Sequence, residues 1–266
     1  MEFANKLRKV VTGDALLSAR RHTRGIVHRC LRQPRLTPDE IIASIDPKRF
    51  AEIRVRYRDP NPTEGPPKYL HLQHWLRVNL DRIRELRLDV SQPLRILDLG
   101  CGAGYFLYIC SLLGHNVTGL DLNNIPMFNE LIALLGLPRV VARIKPFHPL
   151  PAFPHKFDLI TGFLVCFNDH STQPWREDEW NYFLDDAASR LTPNGRLWFE
   201  LNREADGSPY PTELKKFFAA RGGVIDGYRL GFTAGKLGQP PVAPAVFQNQ
   251  LRAADAPLPQ PPAPVR

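Results

Sequence analysis

One short segment constrains this chain more than any other: residues 95–106, which read RILDLGCGAGYF. An apolar stretch that contains Asp98 runs into glycines at positions 100, 102 and 104, and a second apolar stretch follows. Glycine tolerates a left-handed backbone and leaves room where a Cβ would stand. The pattern therefore predicts a strand, a tight turn and a helix. In a parallel sheet, a turn at the carboxyl end of a strand is where ligands bind.

Strand-like and helix-like segments alternate after this turn. Strands are predicted at 95–100, 116–121, 139–144, 157–165 and 196–201, and helices at 103–113, 125–135, 175–191 and 212–221. Apolar strands separated by helices are typical of a parallel sheet that is covered on both faces. We therefore predict an α/β fold with a doubly wound, mostly parallel sheet. A helix around residues 68–87 is expected to precede it.

The two ends of the chain differ in composition from its middle. Residues 1–45 are predicted to form a basic, partly helical arm, and residues 46–93 a lead-in or lid segment with a helix. Residues 94–238 hold the predicted ligand-binding domain. The proline-rich segment 239–266 is expected to be disordered, because proline lacks a backbone donor and favours extended conformers.

The net charge of +8 lies almost entirely in the first residues of the arm. Nine of the 35 basic side chains and only two of the 27 acidic ones fall within residues 1–35, so the rest of the chain is nearly neutral. Contact with a nucleic acid therefore depends on this segment alone. No apolar run reaches the roughly 20 residues that cross a bilayer. The four cysteines have no metal-ligand spacing, and we expect a cytoplasmic protein without a metal.

Three classes of ligand compete for the glycine-rich turn. A triphosphate-binding loop requires G-x-x-x-x-G-K-[ST], and no Lys-Ser or Lys-Thr follows here. A dinucleotide turn requires G-x-G-x-x-G, but Tyr105 occupies the position of the third glycine. S-adenosylmethionine (SAM) carries an ammonium and a sulfonium and no phosphate, so the carboxylate of Asp98 attracts it and repels a pyrophosphate. Asp121, which ends the second predicted strand, can accept hydrogen bonds from a ribose.

These segments make the chain resemble the class I SAM-dependent methyltransferases over roughly residues 94–236. The matching motifs read LDLGCGAGYF, VTGLD, FDLITGFLV and LTPNGRLWFELN. The resemblance implies a Rossmann-like fold with a seven-stranded sheet. It also implies S-adenosyl-L-methionine as the cofactor, with Asp98 at its ammonium group and Asp121 at its ribose. The remaining contacts that it implies come from the turn, the end of the second strand, the fourth strand and the lead-in segment: Gly100, Cys101, Gly102, Gly104, Leu122, Phe163 and Tyr69.

Two features concern adenine and catalysis. The family usually has an acid after the third strand that binds adenine, but residues 143–151 read RIKPFHPLP and contain none. Adenine recognition would then use backbone groups or apolar packing. The loop after the fourth strand faces the transferred methyl in this family, and here it contains Asp169 and His170. His170, with Asp169 beside it, is the candidate general base, and a solvated loop histidine is the alternative.

Three functions remain open from the sequence. The first is methyl transfer to a small-molecule acceptor, favoured by the nearly neutral body of the chain. The second is methylation of RNA or another polyanion that the basic residues 1–35 recruit. The third is a protein that binds SAM or S-adenosylhomocysteine (SAH) without transferring a methyl group.

Overall fold

The computed structural model of the chain describes residues 36–61, 63–165, 167, 174–202 and 210–237. Its centre is a seven-stranded sheet with the strand order β3-β2-β1-β4-β5-β7-β6. The strands are β1 (Arg95–Leu99), β2 (Asn116–Asp121), β3 (Arg139–Val141), β4 (Phe157–Val165), β5 (Leu191–Leu201), β6 (Val224–Asp226) and β7 (Arg229–Thr233). Strands β1 to β5 are parallel to one another, whereas β7 is antiparallel to β5 and to β6. The predicted mostly parallel seven-stranded sheet is confirmed.

Helices cover both faces of this sheet. They are α1 (Pro38–Ala43), α2 (Pro47–Arg56), α3 (Leu72–Glu85), α4 (Tyr105–Leu112), α5 (Pro126–Leu134), α6 (Glu177–Ser189), α7 (Thr212–Ala220) and α8 (Ala234–Leu237), with a 3-10 helix at Pro67–Leu70. Side chains alternate between the two faces of a strand. Ile96 of β1 therefore joins the core of α3, α4 and α5, while Leu97 and Leu99 join the core of α6 and α7.

Most elements lie within two residues of their predicted bounds. The helix expected around residues 68–87 is divided into the 3-10 helix Pro67–Leu70 and α3, and β3 and β5 also differ more. Strand β3 was expected at 139–144 but ends at Val141, because its partner β2 ends at Asp121, to which Val141 pairs. Strand β5 was expected to begin at 196 but begins at Leu191. Leu191 pairs with Phe157 of β4, and an irregularity in the register absorbs the segment that reads TPNG.

The lead-in segment packs onto the domain and is more helical than expected. Helix α1 begins with a capping box, in which the Thr37 side chain accepts from the Glu40 backbone and Glu40 accepts from that of Thr37. Its Ile41 is fully buried in the same core as Ile96. Residues 36–45, which the sequence analysis assigned to the arm, are therefore part of the folded body.

Several expectations fall outside the described residues. They concern the arm at 1–35, the tail at 239–266, and the candidate catalytic residues Asp169 and His170.

Candidate cofactor site

The glycine turn joins the end of β1 to the start of α4 and is tied to the neighbouring strand β2. The backbone N–H of Gly100 donates to the carbonyl of Leu120 across 2.7 Å. Gly100, Gly102 and Gly104 have φ angles of 68°, 53° and 78°, and Gly104 caps α4. Residues other than glycine rarely adopt these positive φ angles. The sequence needs glycine at all three positions to make this turn.

The three glycines differ in the space around them. A Cβ on Gly102 would meet its nearest atom, Cε2 of Phe128, at 3.8 Å, which is an ordinary contact distance. A Cβ on Gly100 or Gly104 would come within 2.6 Å of apolar side chains from neighbouring elements, namely Val165, Ile132 and Leu137. Gly100 and Gly104 therefore allow close packing inside the protein. Gly102 is the position where the absent side chain leaves room beside the backbone.

Asp121 closes the turn from the end of β2. Its Oδ2 accepts from the backbone N–H of Gly102 at 2.6 Å, and its Oδ1 accepts from that of Leu122 at 2.7 Å. Burial raises the pKa of Asp121, and these two hydrogen bonds and the charge of Arg139 oppose that rise. A carboxylate oxygen can accept more than one hydrogen bond. Asp121 thus holds the turn in shape and keeps the capacity to accept further hydrogen bonds.

Asp98 is a buried acid beside the same turn. Asp98 is only 3% exposed, and its Oδ1 accepts a hydrogen bond from the hydroxyl of Thr161 at 2.7 Å. Burial raises its pKa to about 7, the Thr161 hydrogen bond and the charge of Arg82 act against this, and the charge of Asp121 adds to it. Two carboxylates that interact in this way favour a cation and disfavour a phosphate between them.

Cys101 shapes the turn from inside the core. Its thiol is buried, and burial, with the charges of Asp98 and Asp121, holds its pKa well above the usual value. Its backbone N–H donates to the carbonyl of Leu120, and its carbonyl accepts from the N–H of Gly104. These groups are engaged within the turn, so the structure gives Cys101 a role in forming it.

Tyr69 places an aromatic cluster next to the turn. Its ring stacks on Trp75 with centroids 4.6 Å apart, and it meets Phe128 edge-on at 5.1 Å. Its carbonyl accepts from the hydroxyl of Tyr105, the first residue of α4, at 2.8 Å. Phe128 is also the residue that faces the open position at Gly102. The lead-in segment therefore reaches the glycine turn, and Phe128 is a neighbour that the sequence analysis did not identify.

Phe163 lies near the carboxyl end of β4 and contacts two other elements. Its ring meets Phe106 of α4 at a centroid distance of 4.7 Å. The guanidinium carbon of Arg82, on α3, lies 4.2 Å from the Phe163 centroid. Arg82 also pairs with Glu200 of β5 across 2.7 Å. The sequence analysis missed Arg82 and Glu200, which are 118 residues apart.

The model of the family described as "Methyltransferase domain" matches residues 71–228, which is more than half of the chain. The chain belongs to this methyltransferase family. The resemblance to class I SAM-dependent methyltransferases is thereby confirmed.

The methyltransferase has curated relatives at low identity. It is 27% identical over 158 residues to the ubiquinone biosynthesis O-methyltransferase of Proteus mirabilis, covering 58% of this chain and 59% of the relative. It is 32% identical over 154 residues to the protein of the same name from Xylella fastidiosa, with 56% of each chain covered. The chain thus spans less than two thirds of the length of these relatives.

Among solved structures, a SAM-bound amino pentose methyltransferase from Micromonospora echinaspora is 21% identical. The match covers 56% of this chain and 55% of that one, with a TM-score of 0.36.

The residues of this methyltransferase fit the cofactor of its family. The acids at the turn, Asp98 and Asp121, suit a cationic nucleoside without phosphate, and Gly102 leaves room for its close approach. In the described part of the chain, no group of three or more His, Cys, Asp or Glu side chains is arranged to hold a metal ion. No helix in those same residues has the length and apolar character needed to span a membrane.

Proposed function

We propose that this methyltransferase transfers a methyl group from SAM to a hydroxyl group of a small-molecule acceptor. The observation that carries the proposal is the pair of interacting carboxylates, Asp98 and Asp121, at a turn with room beside Gly102. A dinucleotide would bring a pyrophosphate against these acids, whereas SAM brings an ammonium and a sulfonium.

The chain contributes mainly binding and orientation. Bound SAM would supply a methyl group that its sulfonium already activates. Asp121 accepts hydrogen bonds from the ribose while it holds Gly102 in place, and Asp98 binds the ammonium group. Tyr69 and Phe128 form the apolar wall beside the turn, and apolar packing of this kind substitutes for the missing adenine-binding acid. Fixing two reactants in line contributes about 7–11 kcal/mol to lowering a barrier of this type.

A hydroxyl acceptor loses a proton during methyl transfer, so a general base accelerates the reaction. We assign this role to His170, with Asp169 beside it, in the loop between β4 and α6. That loop follows the carboxyl end of β4, the edge of the sheet at which the glycine turn also lies.

Two observations support a small acceptor over a polyanion. The matched relatives are named for a step in ubiquinone biosynthesis, which favours a hydroxylated aromatic molecule as acceptor. In addition, residues outside 1–35 carry nearly balanced charge, and a polyanion site needs clustered cations.

The test is to incubate the full chain with methyl-labelled SAM and a panel of hydroxylated aromatic compounds, with RNA as a separate arm. We expect SAH and an O-methylated aromatic product in equal amounts. His170→Ala should lower turnover by about 100-fold or more and leave SAM affinity unchanged. Transfer of the labelled methyl group to RNA, at a rate that falls steeply as the salt concentration rises, would contradict the proposal of a small-molecule acceptor. SAM binding without SAH formation from any acceptor would indicate a binding protein.

A further inference from the structure

We propose that Arg82 is a positioning residue whose charge favours the ionised form of Asp98, the form that binds the ammonium group of the cofactor. The proposal rests on the proposed function and adds to it a residue from the lead-in helix α3.

The position of the Arg82 charge is fixed by contacts on several sides. Its Nε and Nη2 donate to Oε2 of Glu200 at 3.0 and 2.7 Å, and its Nη1 donates to Oδ1 of Asn79 at 3.0 Å. Its guanidinium stacks over the ring of Phe163. The side chain is only 11% exposed, so solvent screens its charge weakly.

Asp98 lies on the same face of the sheet as these partners. In the register of β1 and β4, Asp98 pairs with Thr161, and in that of β4 and β5, Phe163 pairs with Glu200. Thr161 and Phe163 are two residues apart on β4, so their side chains point to one face. Asp98, Thr161, Phe163 and Glu200 therefore form a patch of one sheet face, and Arg82 covers its β5 side.

Several groups act on Asp98 from the surrounding elements. Thr161 of β4 donates a hydrogen bond to it, and the charge of Arg82 from α3 lowers its pKa; burial and the charge of Asp121 from β2 raise it. The thiols of Cys101 and Cys110, on the turn and on α4, have raised pKa values and are neutral. The resulting pKa of Asp98 is about 7, so a change in the nearby charge alters the ionised fraction at neutral pH.

Arg82 forms its ion pair with Glu200, and it acts on Asp98 through its charge. Glu200 accepts hydrogen bonds from this guanidinium through Oε2. Its Oε1 also accepts from Nη2 of Arg229 at 3.2 Å. Removing the charge of Arg82 should abolish its effect on Asp98, whereas removing the charge of Glu200, which is not among the groups that shift Asp98, should not. A purely structural role of the Arg82–Glu200 pair predicts the same change in SAM affinity at every pH.

The experiment measures the SAM dissociation constant by calorimetry from pH 5.5 to 9 at constant ionic strength. Wild-type affinity should fall as the pH falls through the pKa of Asp98. Arg82→Gln should move the midpoint of this loss upward by about one pH unit. SAM affinity would then fall about fivefold at pH 7 and hardly change at pH 9. Glu200→Gln, which leaves the charge of Arg82 in place, should keep the wild-type midpoint, and so should Arg82→Lys.

The matched control is Arg229→Gln. Arg229 pairs with Glu200 and with Glu85 but is not among the groups that shift Asp98, so its loss should leave the midpoint in place. Asp98→Asn should remove the pH dependence. A second readout uses the ligand-free protein: the carboxylate infrared band that Asp98→Asn removes should titrate at higher pH in Arg82→Gln.

The outcomes separate this inference from the function on which it rests. If SAM binds to Arg82→Gln with the wild-type midpoint, or equally weakly at every pH, Arg82 does not control Asp98 and the inference is wrong. If the wild-type protein does not bind SAM at all, the proposed function fails and the inference with it.

Discussion

The carboxylate of Asp121 accepts a hydrogen bond from the backbone N–H of Gly102 across 2.6 Å, which joins the end of β2 to the middle of the glycine turn. Its other oxygen accepts from the N–H of Leu122. One side chain thus sets the shape of the turn. The ribose contact that we propose for Asp121 would use the same two oxygens.

Replacing Asp121 with asparagine should weaken SAM binding by roughly ten- to a hundredfold. The variant loses the charge that strengthens the hydrogen bonds to the ribose, each of which contributes on the order of 1.5–3 kcal/mol. Titration calorimetry measures the change.

Asp158→Asn is the matched control for that variant. Asp158 lies at the start of β4, and its carboxylate accepts from the backbone N–H of Arg95 at 2.9 Å. This contact joins two strands as the Asp121 contact joins β2 to the turn, but it lies at the opposite edge of the sheet. Asp158→Asn should leave SAM affinity unchanged. Equal affinities of the two folded variants would contradict the ribose role of Asp121.

Alanine at Gly102 and at Gly104 should affect different properties. A left-handed backbone costs a non-glycine residue about 1–2 kcal/mol, and Gly136→Ala measures this cost alone, because Gly136 has a φ of 65° and no atom near a Cβ. Gly102→Ala should match Gly136→Ala in unfolding free energy but lose SAM affinity. Gly104→Ala should be less stable by a further 1–3 kcal/mol or so, because its Cβ overlaps two side chains.

Chemical denaturation and calorimetry on the three variants check this prediction. Equal SAM affinities of Gly102→Ala and Gly136→Ala would show that Gly102 does not lie next to the ligand.

Protonated Asp98 should contribute to the unfolding free energy of the ligand-free protein, and this contribution should disappear as the pH rises. The pKa of Asp98 is raised in the folded state to about 7, so between about pH 4 and pH 7 the folded state binds a proton that the unfolded state has lost. This contribution is complete below about pH 4 and is lost as the pH rises through 7.

The side chain of Asp98→Asn stays neutral at every pH. As the pH rises from 4 to 8, the unfolding free energy of this variant should therefore increase relative to that of wild type by about 2–4 kcal/mol. The variant should also lose SAM affinity. Urea denaturation at several pH values measures the difference. A difference between variant and wild type that stays constant across this range would show that the carboxyl of Asp98 is not destabilised by burial.

Local patterns in the sequence were sufficient to predict much of the sheet. The bounds of β2 and β4 were predicted as observed, because buried parallel strands are apolar along their length and glycines mark the turns between them. Strand β5 was predicted too short, since the segment TPNG at 192–195 reads as a turn. The strand extends back to Leu191 because Leu191 pairs with Phe157 of β4, and the local sequence gives no sign of this pairing.

The site shows the same division between local and distant signals. Asp98, Asp121 and the three glycines were found because they lie in one short motif and at the end of the next strand. Thr161 and Arg82 were not found, because their relation to Asp98 depends on strand register and on helix packing. Helix α1 did have a local signal, the capping box of Thr37 and Glu40, which the sequence analysis overlooked.

The most direct test of the central claim is a calorimetric comparison of SAM, SAH, NAD and ATP on the purified full chain. We predict that SAM and SAH bind at one site per chain and that NAD and ATP bind much more weakly, because their phosphates meet the carboxylates of Asp98 and Asp121. Tight binding of NAD or ATP, together with no heat change on addition of SAM, would contradict this prediction.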